Sequence, residues 1–250
     1  MDKVTFGRYP ADRKAEDIKI VKRIDNSRFY GDDGKVYERN CGNYYKIMPL
    51  EWRVIERDKN GPLLLCDKII DIQSYDNDYS DYEHSAIRKW LNGQFTEKAF
   101  NDEECDRILI STEDNHTVCY EEGFIEWESQ LTGNDTCDKV FLLSVTEIFE
   151  KIAAPRERMR TMTDFALDKI NHFDDKSRSI AKRLLEYDCY PWQTRTTYIA
   201  RDKGGNVSMF RQAGIHTGKA KCLQGIQKGR DQLFGIVPAI RIINPDILLN

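Results

Sequence analysis

The chain has no apolar run near the ~20 residues needed to span a bilayer. Its opening residues, MDKVTFGRYPADRK, also lack the apolar segment of a secretory signal. With Met1 as the native start, the expected location is cytoplasmic. Cysteine is scarce and unpatterned: Cys41, Cys66, Cys105, Cys119, Cys137, Cys189 and Cys222 are an odd set with no CxxC. Reduced cytosolic thiols fit that count better than a disulfide framework.

Motifs for metals, nucleotides and activated nucleophiles are missing as well. His84, His116, His172 and His216 are scattered, with neither HExxH nor zinc-finger spacing. There is no GxSxG elbow, no Walker A loop and no GxGxxG. Asp76 to Ser80 begins like a calcium loop, but Asp81 stands where glycine is required and Ile87 where glutamate is required. His116 and Cys119, with Asp114 nearby, have half a metal site's chemistry, and an accident of a polar loop is the preferred reading. No catalytic residue, metal or cofactor is therefore expected.

Aromatic residues are plentiful. Four Trp, eleven Phe and twelve Tyr supply the apolar surface for a sizeable core. The net charge of −4 is unevenly divided: residues 1–150 carry −12 and residues 151–250 carry +8. Such asymmetry either gives a basic face for an anionic partner or cancels between the two halves in the fold.

The N-terminal third reads as strands and hairpins, with turns at Gly31–Gly34 and Asp58–Gly61. A helix is expected from a Ser85 cap, with Ile87, Trp90 and Leu91 on one face and Gly93 ending it. Asn101 caps a further helical turn. Residues 114–136 read as a long polar loop. Val140 to Leu143 form an apolar strand, and Ser144 with Glu147 makes a capping box for the next helix. Residues 151–186 are helical and basic. Short strands return at Tyr198–Ala200, Val207–Phe210 and Phe234–Ile243. The fold class is α+β.

Six segments run through nearly the whole chain: Phe6 to Pro10 (FGRYP), Leu50 to Ile55 (LEWRVI), Ser85 to Phe100 (SAIRKWLNGQFTEKAF), Asp138 to Ser144 (DKVFLLS), Trp192 to Arg195 (WQTR) and Gly235 to Ile242 (GIVPAIRI). In order and content they resemble an uncharacterised bacterial domain family common in Gram-positive gut bacteria. Its members read FGRYPQ, IEWRVL, LRKWLN, DKVFLLS, WWLRSPG and GVRPALWI. Segments at both ends of the chain imply one domain over 1–250, with 151–186 as a basic helical insertion. The family's C-terminal segments are in turn similar to C-type-lectin-like domains, including formylglycine-generating enzymes. That similarity implies small antiparallel sheets, helices and long irregular loops, with ligands held by the loops near the C-terminal sheet. The chain departs from the family where Gln193, Thr196, Val237 and Arg241 stand, which puts a family-type site in doubt.

The candidate ligand-binding residues are Trp192, Arg195, Tyr198, Arg201, Arg211, His216 and Arg230. An arginine beside a tryptophan can stack on the indole and offer its fork to an anion. The alternative for Arg195 is a buried arginine bridging backbone carbonyls. Between Arg195 and Arg230, eight basic residues stand against Asp202, with Asp231 just beyond. The expected function is a non-catalytic binding module for an anionic small molecule, a polyanion or a protein partner. A solvated basic surface is the competing reading. Nucleic acid has no supporting motif, and no membrane is expected. Two alternatives remain: an assembly protein using the basic helical segment, or a formylglycine-generating-type oxidoreductase, for which Cys189 and Cys222 are the candidate thiols.

Overall fold

A computed structural model describes residues 1–75, 81–115, 129–130, 133–172, 175–185, 189–201, 207–223 and 234–243. The chain enters through β1 (Lys3–Arg13) and passes through β2 (Ile20–Arg23), β3 (Arg28–Gly31) and β4 (Val36–Asn40) into the long β5 (Asn43–Glu56). The expected hairpin at Gly31–Gly34 joins β3 to β4, and Asp58–Gly61 leads from β5 to β6 (Leu63–Cys66). Trp52 and Val54 belong to the same strand as Tyr44 and Tyr45, and Pro49 between them is carried within the strand opposite Arg8 of β1. β7 (Asp71–Ile72) follows.

Ser85 caps α1 (Ala86–Trp90) as its sequence predicts, accepting from the Arg88 N–H. Gly93 does not end the helical segment. A π-helical turn, Leu91–Phe95, carries the chain through it into α2 (Thr96–Ala99). The cause is the apolar spacing. Ile87, Leu91, Phe95 and Ala99 recur every four residues and are all fully buried, a repeat that drifts by roughly 40° per step on a regular α-helix. A wider turn absorbs the drift and keeps the stripe on the core. Asn92, on that turn, accepts from Lys139 N at 3.0 Å and Val140 N at 3.2 Å and donates to Val140 O at 2.9 Å.

Asn101 and Glu104 form a capping box on α3 (Asp102–Arg107). Next come β8 (Ile108–Leu109), β9 (Ser111–Glu113), β10 (Ser129–Gln130), β11 (Thr136–Asp138) and β12 (Val140–Phe141). Leu142 and Leu143 are buried but leave the strand early to reach α4 (Val145–Lys151), capped by Ser144 and Glu147 as expected. The basic stretch forms α5 (Pro155–Arg158), α6 (Asp164–Asn171) and α7 (Asp175–Leu185). The last strands are β13 (Trp192–Arg201), β14 (Val207–His216), β15 (Lys219–Leu223), β16 (Gly235–Ile236) and β17 (Ala239–Ile242).

The architecture is mixed α+β, and the sheets are antiparallel apart from a Trp192–Gly235 pairing. One sheet runs β12-β17-β6-β5-β4-β3-β2, with β1 on the free side of β5 and β8 also against β17. A second runs β15-β14-β13-β16-β7, with β10 against β13, and β9 pairs with β11 alone. A single buried cluster includes Val4, Trp52, Phe95, Phe141, Phe165, Trp192 and Ile240. Burying each such large side chain contributes ~1.5–3 kcal/mol.

The FGRYP segment shows how tightly the sequence is tied to this packing. Phe6 packs tilted against Phe100 with ring centroids 5.5 Å apart, and its carbonyl accepts from Trp52 Nε1 at 2.7 Å. Gly7 makes the bulge between the β1–β5 pairings at Thr5 and Arg8, with φ of 72°. A Cβ there would lie 2.5 Å from the Phe100 ring. Tyr9 is buried and donates to Asp71 at 2.8 Å.

Candidate functional site

Trp192 and Arg195 are both interior, 1 % and 4 % exposed. They do not stack on each other. Residues three apart on a strand point to opposite faces, and β13 is bulged between Gln193 and Thr197. Within the bulge the Arg195 N–H turns to Leu143 O at 3.1 Å. The guanidinium follows: Nη1 donates to Leu142 O at 2.9 Å and to Glu147 at 2.5 Å, and Nη2 to Asp114 O at 3.2 Å. Glu113 lies 3.3 Å from Nη1. Arg195 thus bridges backbone carbonyls inside the protein and ties the WQTR segment to DKVFLLS.

The surrounding cluster is polar and closed. β9 and β11 pair Glu113 with Thr136 and Ser111 with Asp138, all buried. Arg88 Nε reaches both oxygens of Asp138 at 2.9 Å. Burial pushes the Glu113 carboxyl up to about 8, against the pull of Arg195. Arg195 itself is lowered by burial but raised more by Glu147 and Glu113. Such a group acts as an internal clamp, because each buried charge has an opposing partner.

The other predicted residues lie elsewhere. His216 ends β14 and faces Lys219 across a turn whose Gly218 carbonyl accepts from Arg158 at 3.3 Å. Trp192, opposite Ile215, is at that same end. Tyr198 pairs with Arg211, and Arg201 pairs with Val207, toward the far end of the hairpin. Arg211 and His216 are five positions apart, roughly 17 Å along a strand. The six described candidates therefore do not converge on one point. Arg230 lies outside the described residues, as do His116, Cys119 and most of the calcium-like loop.

Several polar residues outside the predicted ligand-binding set prove central. Gln193 and Gln212 are both fully buried. Gln193 Nε2 donates to Gln73 O at 2.6 Å and its Oε1 accepts from Gln212 at 3.1 Å. Arg158 and Arg160, expected on a basic surface, are 6 % and 1 % exposed. Nothing in the local sequence marks them as buried, since their neighbours Glu157, Met159 and Thr161 are not. Arg158 donates to Ile152 O at 2.6 Å and Ala153 O at 2.9 Å.

Two further features are open to solvent. A cleft of about 130 Å³ forms where β5 has left β4 and not yet met β6, and its lining includes Pro10, Asp12, Pro49, Asp67, Lys68 and Thr163. Asp81, Glu83 and His84 also lie close together. His84 Nδ1 is 2.8 Å from Asp81, and Glu83 accepts from Asn134 N at 2.8 Å, so these carboxylates already serve the loop itself. Burial pushes the Cys66 thiol up to about 12, which makes it a poor nucleophile at neutral pH. Cys189 precedes β13 and Cys222 lies on β15, with β14 between them.

A family profile described as a domain of unknown function (DUF6273) matches residues 60–242. The chain belongs to that family. Neither the curated proteins nor the solved structures yield a match. No helix among the described residues is long and apolar enough to cross a membrane.

Proposed function

We propose that the protein is a non-catalytic binding module that takes an anionic ligand on the outer end of the β13–β14 hairpin. The ligand class is a small polyanion, a polymer or an acidic segment of a partner. The observation that carries this reading is the strand register, which sets Tyr198 directly opposite Arg211 and brings Arg201 to the same end. Loops and hairpin ends on a rigid sheet are where binding residues concentrate. A C-type-lectin-like fold is part of the proposal. Its support is that β1 and β17, from the two ends of the chain, share one sheet while β13 to β16, joined by β7 and β10, build a second. Cytoplasmic action is also part of it, supported by the free thiols of Cys41, Cys66, Cys105, Cys137 and Cys189. Assembly through residues 151–186 is less favoured, because Arg158 and Arg160 turn inward.

Titration with tripolyphosphate and with a heparin-type polyanion at low salt tests the reading. Arg201→Ala and Arg211→Ala are each expected to weaken binding by about tenfold, the scale of one charged hydrogen bond, and added salt to weaken it further. No binding at low salt, or binding indifferent to both substitutions, would refute it.

A further inference from the structure

The arginine that lies over Trp192 is Arg160, with its guanidinium carbon 5.7 Å from the ring centroid. Its Nη1 donates to Glu157 O at 2.5 Å and Met159 O at 2.9 Å. Its Nε and Nη2 are buried and meet no acceptor among the described residues. No carboxylate among the described residues pairs with it. Asp67, which attracts it from a distance, is held by Lys3 at 2.7 Å and by Arg53. Arg53 also donates to the Glu157 carbonyl at 3.3 Å, so two guanidiniums converge on one oxygen.

Arg160 therefore has no direct counter-charge among the described residues: Asp67 and Glu157 act on it only at a distance, and Lys3 is shared with Glu51 at 3.4 Å. Buried donors without acceptors are rare in folded proteins, and a buried cation without a counter-charge is costlier still. Burial and Arg53 draw Arg160 down only to about 10, so it remains a cation at neutral pH. A water molecule would satisfy the N–H groups and leave the charge unmet. Nε and Nη2 are the two parallel donors of the guanidinium fork, the edge that receives a carboxylate or a single anion.

We propose that Arg160 holds a compact monoanion, a halide or a small carboxylate, on its Nε–Nη2 edge beside the indole of Trp192. Arg53 adds favourable field, and Asp67, which Arg53 and Lys3 hold, lines the cleft between β5 and β6. This site is separate from the hairpin end and takes ions too small to bridge the residues there.

Thermal unfolding of the full chain is measured in bromide, formate and phosphate at fixed ionic strength, with a bulky organic anion as the reference. Bromide or formate should raise Tm saturably, on the order of 5 °C once the anion reaches about a hundred times its Kd. Phosphate arms distinguish a monoanion site from a general phosphate site, and a larger effect of phosphate than of formate would overturn the assignment. Arg160→Met keeps the apolar stem and removes the charge; it should lose the anion dependence while still binding tripolyphosphate at the hairpin. If that variant does not fold, anomalous diffraction from wild-type crystals in bromide decides: a bromide within hydrogen-bond distance of Nε and Nη2 supports the site, and water alone there overturns it.

Discussion

Replacing Arg195 by alanine should destabilise the protein without acting on a ligand. The side chain holds Leu142 O, Asp114 O and Glu147 and lies beside Glu113. Removing one partner from a buried ion pair costs ~3–5 kcal/mol, because the other charge is left behind. Two facts place this case at the low end. The Glu147 side chain is 22 % exposed and regains water, and Glu113, pushed up to about 8, already keeps its proton at neutral pH. A loss of about 3 kcal/mol is a large share of a stability of ~5–15 kcal/mol. For a chain of this size it lowers Tm by roughly 6–12 °C. Differential scanning calorimetry and urea unfolding, run alongside the polyanion titration, measure both consequences. A Tm within about 2 °C of wild type, with binding lost, would show Arg195 to be a ligand residue and refute the reasoning.

Two further outcomes follow from the same structure. Because burial raises the Glu113 pKa, the folded state carries a proton that the unfolded chain releases, so stability falls as pH rises from about 5 to about 8. Its contribution to the slope is ~1.4 kcal/mol per pH unit; Glu113→Gln should flatten that limb in unfolding measured across the window, and equal slopes would contradict it. Gly7→Ala places a Cβ against Phe100 at a positive φ. It should cost about 2–4 kcal/mol by urea unfolding, and a loss under ~0.5 kcal/mol would mean the bulge relaxes freely.

The capping residues and turns were legible in the sequence because their chemistry is local. Ser85, Asn101 and Ser144 with Glu147 act within one helical turn. The failure at Gly93 is equally instructive: a lone glycine weakens a helix, but four buried side chains at four-residue spacing decide the matter. The six segments that carry the family resemblance proved to be packing elements. Phe6, Trp52, Trp192 and Ile240 are core residues, and Arg195 is internal wiring. The bulge that turns Arg195 inward depends on Leu142–Leu143, some fifty positions away, and nothing in WQTR itself announces it. Likewise Arg158 and Arg160 looked like surface charge because the carbonyls that receive Arg158 and the indole over which Arg160 lies are set by tertiary structure alone.

The position of β17 has a consequence for biosynthesis. Residues 239–242 pair on one side with β6 and on the other with β12 and β8. Among the described residues, strands 63–66, 108–109 and 140–141 are therefore joined only through a segment made more than a hundred residues after the first two of them. While the ribosome is still adding those residues, the Leu63–Cys66 edge has no neighbour on that side, and an open apolar edge invites pairing with other chains. Folding of the larger sheet must wait for Ala239–Ile242 to emerge, so a nascent chain stalled before that point is expected to depend on chaperones, and release of the final strand to complete the sheet in one late step.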